Sequence, residues 1–158
     1  MVADMSRRAL SMALAEHILN LRADRAFDKL QDLLSLKVSY KLAGDRRLMP
    51  YAGSFFGRTD VSVAFSSLDV EFEIRDLELG DFVAEASSVA VRWSARWVNR
   101  GTRDWAHVPA FSLLHFVDGI VVEWVDFVDT ASASYLAGWM PDMPAFAMSG
   151  QRGTKSSR

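Results

Sequence analysis

From about Glu71 to Asp129 the chain alternates apolar and polar residues almost without interruption, in the segments VEFEIRDLELGD, FVAEASSVAVRWSARWV, RDWAHVPAFSLLHFV and GIVVEWVDFVD. A period of two places successive side chains on opposite faces of a strand, so these segments predict a sheet of long strands with one face buried. Turn residues separate the runs at Gly80-Asp81, Asn99-Arg100-Gly101 and Asp118-Gly119. The pairs with Gly or Asp can take the backbone angles that a tight reversal requires, so the strands are expected to be antiparallel.

The first seventy residues have a different period. Leu10, Ala13, Leu14, Ile18 and Leu21 recur at helical spacing, with Ser6 available as a cap, and Phe27, Leu30, Leu33 and Leu34 share the face of a second, short helix. Lys37 to Leu42 reads as a short strand, and AGDRRLMPYAGSFFG reads as a loop. Thr59 is placed to cap a third helix that runs to about Asp69, with Val61, Ala64, Phe65 and Leu68 inward. Helices first and antiparallel strands afterwards predict an α+β fold, a cone-shaped roll of three amino-terminal helices on one strongly curved, mostly antiparallel sheet. A curved sheet cannot press on three helices along its whole length, so a cavity between the layers is the expected place for function.

The chain has 158 residues, enough for one domain with a sizeable core. Residues 1–149 are expected to form it, and 150–158 a flexible polar tail. Eighteen basic against twenty acidic residues leave a net charge of −2, which gives no global pull toward nucleic acid or an anionic membrane. The first segment is broken by Glu16 and His17, and no apolar run approaches the roughly 20 residues of a membrane span. A cytoplasmic location is expected, in keeping with the absence of cysteine. His17, His107 and His115 lack the spacing of a metal site, and GSFFG lacks the lysine of a phosphate loop, so neither metal nor cofactor is expected.

Two strands carry features that simple burial does not explain. In GIVVEWVDFVD, Asp126 shares a face with Ile120, Val122 and Trp124, where another valine would be ordinary. A carboxyl group beside an indole in a dry cavity has its pKa raised by desolvation, which is how a general acid or base for neutral pH is made. The other reading is a structural carboxylate, either ion-paired with Arg92 or Arg96 or hydrogen-bonded at the cavity rim. In the strand Val89–Val98, one row holds Val89, Val91, Trp93, Ala95 and Trp97, and the opposite row holds Arg92, Ser94 and Arg96. Either row could line the cavity. On the next strand Ala110, Ser112, Leu114 and Phe116 are expected inside, which puts His107 and His115 outside.

The amphipathic first helix, the phrase YAGSFFGRTDV and the closing strand DGIVVEWVDFVD resemble, in order and spacing, the nuclear transport factor 2-like superfamily and its SnoaL-like polyketide cyclases. The resemblance covers roughly Leu10 to Thr130 and implies the cone fold. Its limonene epoxide hydrolase branch has a Tyr and an Asn two apart, an Arg and an Asp two apart, and a second Asp on the last strand. The resemblance sets Tyr40, Arg92 and Asp126 on the Tyr, Arg and second Asp, whereas Leu42 and Ser94 stand where the Asn and the first Asp would be. The ketosteroid isomerase branch would need carboxyl groups near Tyr40 and Ser112, and the chain has none there.

The resemblance and the residue pattern together predict an apolar pocket for a small hydrophobic, cyclic or terpenoid-like molecule. Asp126, Arg92 and Tyr40 are its candidate catalytic residues, and Tyr51, Phe55, Phe56, Phe65, Ser94, Ser112, Phe116 and Trp124 its candidate lining. The protein is expected to be either a cofactor-free hydrolase, isomerase or cyclase or a non-catalytic binding module of the same fold. With Arg92 inside, Trp93 and Trp97 would form an apolar patch on the outer sheet face, the kind of surface that predicts a homodimer.

Overall fold

The computed structural model of the chain describes residues 2–140. In chain order the elements are α1 (Val2–Ala23), α2 (Phe27–Asp32), β1 (Leu34–Ala43), β2 (Gly53–Phe56), α3 (Gly57–Glu71), β3 (Phe72–Ala84), β4 (Ser88–Asn99), β5 (Trp105–Val117), β6 (Ile120–Val128) and α4 (Thr130–Ala137). The strands form one open, curved sheet in the order β2-β1-β6-β5-β4-β3. All neighbouring pairs are antiparallel except β1 and β6, which run parallel. The protein is thus α+β, with α1 packed on β3 and β4, α3 on β1, β2 and β3, and α4 on β4 and β5.

The phase of β4 is settled by burial. Val89, Val91, Trp93, Ala95 and Trp97 all point into the core, as do Ala110, Ser112, Leu114 and Phe116 of β5. Burying a large apolar side chain contributes roughly 1.5–3 kcal/mol, so a row with two tryptophans outweighs any gain from turning Arg92 inward. The outer-face dimer patch expected from Trp93 and Trp97 is therefore absent.

Several local expectations change. Gly80-Asp81 is not a turn: β3 continues to Ala84, and the register shifts between Leu79 and Phe82. Phe82 and Val83 still pair with Val91 and Ala90, so the pair forms a bulge within the strand. The reversal comes later, where the Glu85 amide donates to the Ser88 carbonyl at 2.9 Å. Asp118-Gly119 does make the expected tight hairpin, with φ of 50° and 78°. Asn99 holds its turn by accepting from the amides of Gly101 and Thr102 at 2.8 and 3.0 Å.

The amino-terminal elements are also adjusted. Helix α1 buries Ser11, Ala15, Ile18, Leu19, Leu21 and Arg22, and it leaves Leu10 exposed. The buried stripe is therefore rotated from the expected one, and Ser6 lies inside the helix. Helix α3 starts at Gly57 without a side-chain cap, so Thr59 does not serve as one. The segment read as a loop contains β2, which pairs Phe55 with Tyr40 and Phe56 with Ser39. Helix α4 was not expected: Asp129 caps it by accepting from the amides of Ala131 and Ser132, and Gly138 ends it at φ 75°. Trp139 then packs on Tyr51 and Phe72. The tail 150–158, expected to be flexible, lies outside the described residues.

Candidate functional site

Four strands bring their side chains together on the inner face of the sheet. Ser112 of β5 pairs across the ladder with Asp126 of β6, and Tyr40 of β1 pairs with Trp124. Asp126 is 7% exposed. Its Oδ1 accepts from Ser112 Oγ at 2.5 Å and from Trp124 Nε1 at 2.6 Å, and its Oδ2 accepts from the Tyr40 hydroxyl at 3.0 Å. Behind Ser112, Trp93 Nε1 donates to the serine oxygen at 2.7 Å. A hydroxyl has one proton to give, so a serine that accepts from Trp93 is free to aim that proton at the carboxylate.

All three direct donors to Asp126 are neutral. Burial is the largest influence on the carboxyl and raises its pKa above the ordinary 3.8, although the hydrogen bonds from Ser112, Trp124 and Tyr40 and the charge of Arg22 pull the other way. Burial likewise holds the Tyr40 hydroxyl well above its ordinary 10.0, with the Asp126 charge adding to it. Tyr40 therefore stays protonated, and a donor, throughout the range below its ordinary 10.0. Its ring is fixed edge-on to Phe65 at 4.8 Å and to Trp124 at 5.7 Å.

The cation at this site comes from a helix. Arg22, 8% exposed at the end of α1, donates through Nη1 to both oxygens of Asp69 on α3, at 3.0 and 3.2 Å. Arg25 Nε lies 3.3 Å from the same carboxylate. The Arg22 guanidinium sits 4.5 Å from the centre of the Phe65 ring. Sequence reasoning missed Arg22 and Asp69, yet each occupies an apolar stripe, four residues after Ile18 and Phe65 respectively. A charged residue in such a stripe on each of two neighbouring helices was the available signal.

A cavity of about 30 Å³ lies against these groups, lined by Leu19, Arg22, Ala23, Tyr40, Leu42, Leu68, Ile74, Leu77, Trp93, Trp97, Trp124, Asp126 and Val128. Its half-buried members are Ala23, Ile74, Leu77 and Val128, which mark the mouth. Leu77 follows Asp76, whose φ of 51° lies at a register shift in the edge strand β3.

Of the residues singled out from the sequence, Asp126, Tyr40 and Trp124 line this cavity, Ser112 supports it from behind, and Phe65 braces Tyr40 and Trp124. Phe55 stacks on Tyr40 at 6.0 Å. Phe116 is in the core but does not reach the cavity, and Tyr51 packs against Trp139 instead.

Arg92 is placed on the opposite face, with its side chain 67% exposed and paired with Asp81 at 3.0 Å. Ser94 shares that outer row, because the Trp93 row takes the inside. Phe56 is 68% exposed, since the alternation of β2 turns Phe55 inward. Toward the start of β6, a register shift buries Val121 and leaves Ile120 and Val122 only half-buried, so the Trp124 row does not extend that far. His107 is exposed and His115 half-buried on the outer row of β5.

No protein-family model and no curated protein sequence matches the chain. Its likeness to solved structures is extensive. A nuclear transport factor 2-like protein from Burkholderia xenovorans LB400 superimposes with a TM-score of 0.71 at 15% identity, over 82% of this chain and 97% of that one. A provisionally assigned polyketide cyclase from Xanthomonas campestris pv. campestris gives 0.68 at 12% identity, over 83% and 98%. An epoxide hydrolase of the limonene epoxide hydrolase-like kind from M. tuberculosis gives 0.64 at 13% identity, over 79% and 86%. The chain has the nuclear transport factor 2-like fold. Its neighbours there include provisionally assigned isomerases, one provisionally assigned cyclase and an epoxide hydrolase, and at these identities the shared feature is the cone itself.

Proposed function

We propose that the protein is a cofactor-independent enzyme that moves a proton on a small hydrophobic molecule, with Asp126 as the acid or base. The observation that carries this reading is a buried carboxyl group at the wall of an apolar cavity, solvated only by neutral donors and with its pKa raised. As a carboxylate, Asp126 is a stronger base than an exposed aspartate; protonated, it can deliver its proton to an oxygen in the cavity. Tyr40, Ser112 and Trp124 hold the carboxyl in one orientation through both states. The fold's neighbours suit hydrolysis, isomerisation or cyclisation of a cyclic, terpenoid- or polyketide-like substrate.

Size sets a condition on that substrate. A cavity of about 30 Å³ holds only a few water-sized groups, whereas drug-sized ligands occupy roughly 300–1,000 Å³. A ring must therefore displace the half-buried side chains at the mouth, chiefly Ile74 and Leu77. Asp126→Asn keeps the shape and removes the titrating group. Against a panel of epoxides and cyclic ketones it should lose about 10²–10⁴-fold in turnover. Turnover equal to that of the unaltered protein would remove the acid–base role. The three donors would then favour the second reading, a binding module in which Asp126 is structural.

A homodimer through the outer sheet face is part of this proposal. Its support is now the exposure of Phe111, Leu113 and Phe127 rather than the tryptophan row. Sedimentation of a monomer at micromolar concentration would remove that part.

A further inference from the structure

The hydrogen-bond inventory of the cavity is lopsided. Its acceptor, Asp126, is occupied by Tyr40, Ser112 and Trp124. Its side-chain nitrogens, on Arg22, Trp93, Trp97 and Trp124, are all donors. Among the described residues, only three buried side-chain nitrogen or oxygen atoms lack a hydrogen-bond partner, and two of them belong to cavity-lining residues: Arg22 Nη2 and Trp97 Nε1. Burying an N–H without an acceptor costs about 1–3 kcal/mol, so two in one apolar cavity call for an explanation. Trp97 is 1% exposed on the central row of β4, and Arg22 is held in place by Asp69 and by the Phe65 ring, so neither can turn to water.

Charge points the same way. Two guanidinium groups, Arg22 and Arg25, face the single carboxylate of Asp69, which leaves one positive charge uncompensated within that cluster. Arg22 is also felt at Asp126 and at Tyr40, where its charge lowers both pKa values. Arg22 and Asp126 line the same cavity, so the carboxyl shares it with a cationic donor. A guanidinium presents its N–H groups in a plane that matches an sp² oxygen.

We infer that Arg22 and Trp97 form an acceptor subsite that selects ligands carrying a carbonyl-type oxygen, held so that the rest of the ligand lies toward Asp126. The inference rests on the reading of the cavity as a substrate site and names the chemistry that site takes. The oxygen can belong to a neutral ketone or to a carboxylate, and the two sources are separable by experiment. A plain hydrocarbon would leave both N–H groups unsatisfied and should be rejected.

The test uses acetone, acetate and isobutene, three probes of nearly the same size that suit a small cavity. Binding is followed by two-dimensional NMR of the whole protein, with the Trp97 indole N–H resonance as the reporter and, in the variant that lacks it, those of Trp93 and Trp124, which line the same cavity. Acetone or acetate should shift that resonance and bind roughly tenfold more tightly than isobutene, the worth of one or two hydrogen bonds to a fixed donor. A preference for acetate assigns the subsite to anionic ligands, and a preference for acetone assigns it to neutral carbonyl compounds. Trp97→Phe removes the N–H and keeps the ring, and Arg22→Lys keeps the pairing with Asp69 and loses the second donor. Each should lower the preference for the oxygenated probe by about threefold or more. Equal binding of isobutene, no shift with either oxygenated probe, or an unchanged preference in both variants overturns the inference. Because the readout is binding, it can fail while Asp126-dependent turnover stands, and it can hold while turnover fails.

Discussion

Asp69 and Asp126 are both buried carboxyl groups, yet they are solvated in opposite ways. Asp69 lies between two helices and receives Arg22 and Arg25, so its charge is matched by cations. Asp126 lies on the sheet and receives a serine, a tryptophan and a tyrosine, so every hydrogen bond to it comes from a neutral donor. A cation compensates a buried anion in full, and losing it leaves an unpaired charge. Neutral donors compensate in part, which keeps the group anchored but lets burial raise its pKa. One carboxylate therefore fixes the helices against each other, and the other is left able to exchange a proton.

The largest effect is expected where pairing is ionic. Asp69→Ala strands two arginines, one of them buried, and should cost about 3–5 kcal/mol of stability in urea unfolding. A loss below about 1 kcal/mol would mean that the helix pair does not depend on that carboxylate.

A smaller effect is expected at Ser112. Ser112→Ala removes one donor from Asp126 and leaves Trp93 Nε1 without its acceptor, a loss of about 1–3 kcal/mol. The same change should move the Asp126 pKa further upward, because the serine hydrogen bond favours the ionised form. A downward movement in a carboxyl titration would contradict the assignment of donors.

The fold was largely legible because period-two alternation and turn chemistry survive in the bare sequence. Where it was misread, a stronger physical term was hidden from local inspection. Gly80-Asp81 has turn chemistry, but Phe82 and Val83 gain more from continuing along β4. Helix α4 had an Asp at its start and a Gly after its end, and these signals are as plain as those used elsewhere.

The site was legible in part. Asp126 stood out because a carboxylate in a tryptophan row violates the pattern, and Tyr40 and Ser112 proved to be its partners. Arg92 did not, because the phase of β4 is decided by what the helices cover, which no strand reveals by itself. Arg22 takes the place of the expected cation from the end of α1, far from Arg92 in the chain, and only the packing of α1 on the sheet brings it to the cavity.

The burial of Asp126 also has a pH signature. A folded-state pKa above 3.8 means that the folded chain holds the Asp126 proton more tightly than the unfolded chain does. The resulting stabilisation is complete below 3.8 and is lost as the pH rises through the folded value. Asp126→Asn should lack that component of the stability profile. The most direct measurement is a carbon-13 titration of the side-chain carboxyls, with the Asp126 signal identified by its loss in Asp126→Asn. The account predicts that this carboxyl titrates above 3.8. Titration at or below 3.8 would contradict the claim that burial, opposed by neutral donors and the charge of Arg22, has prepared Asp126 to move a proton.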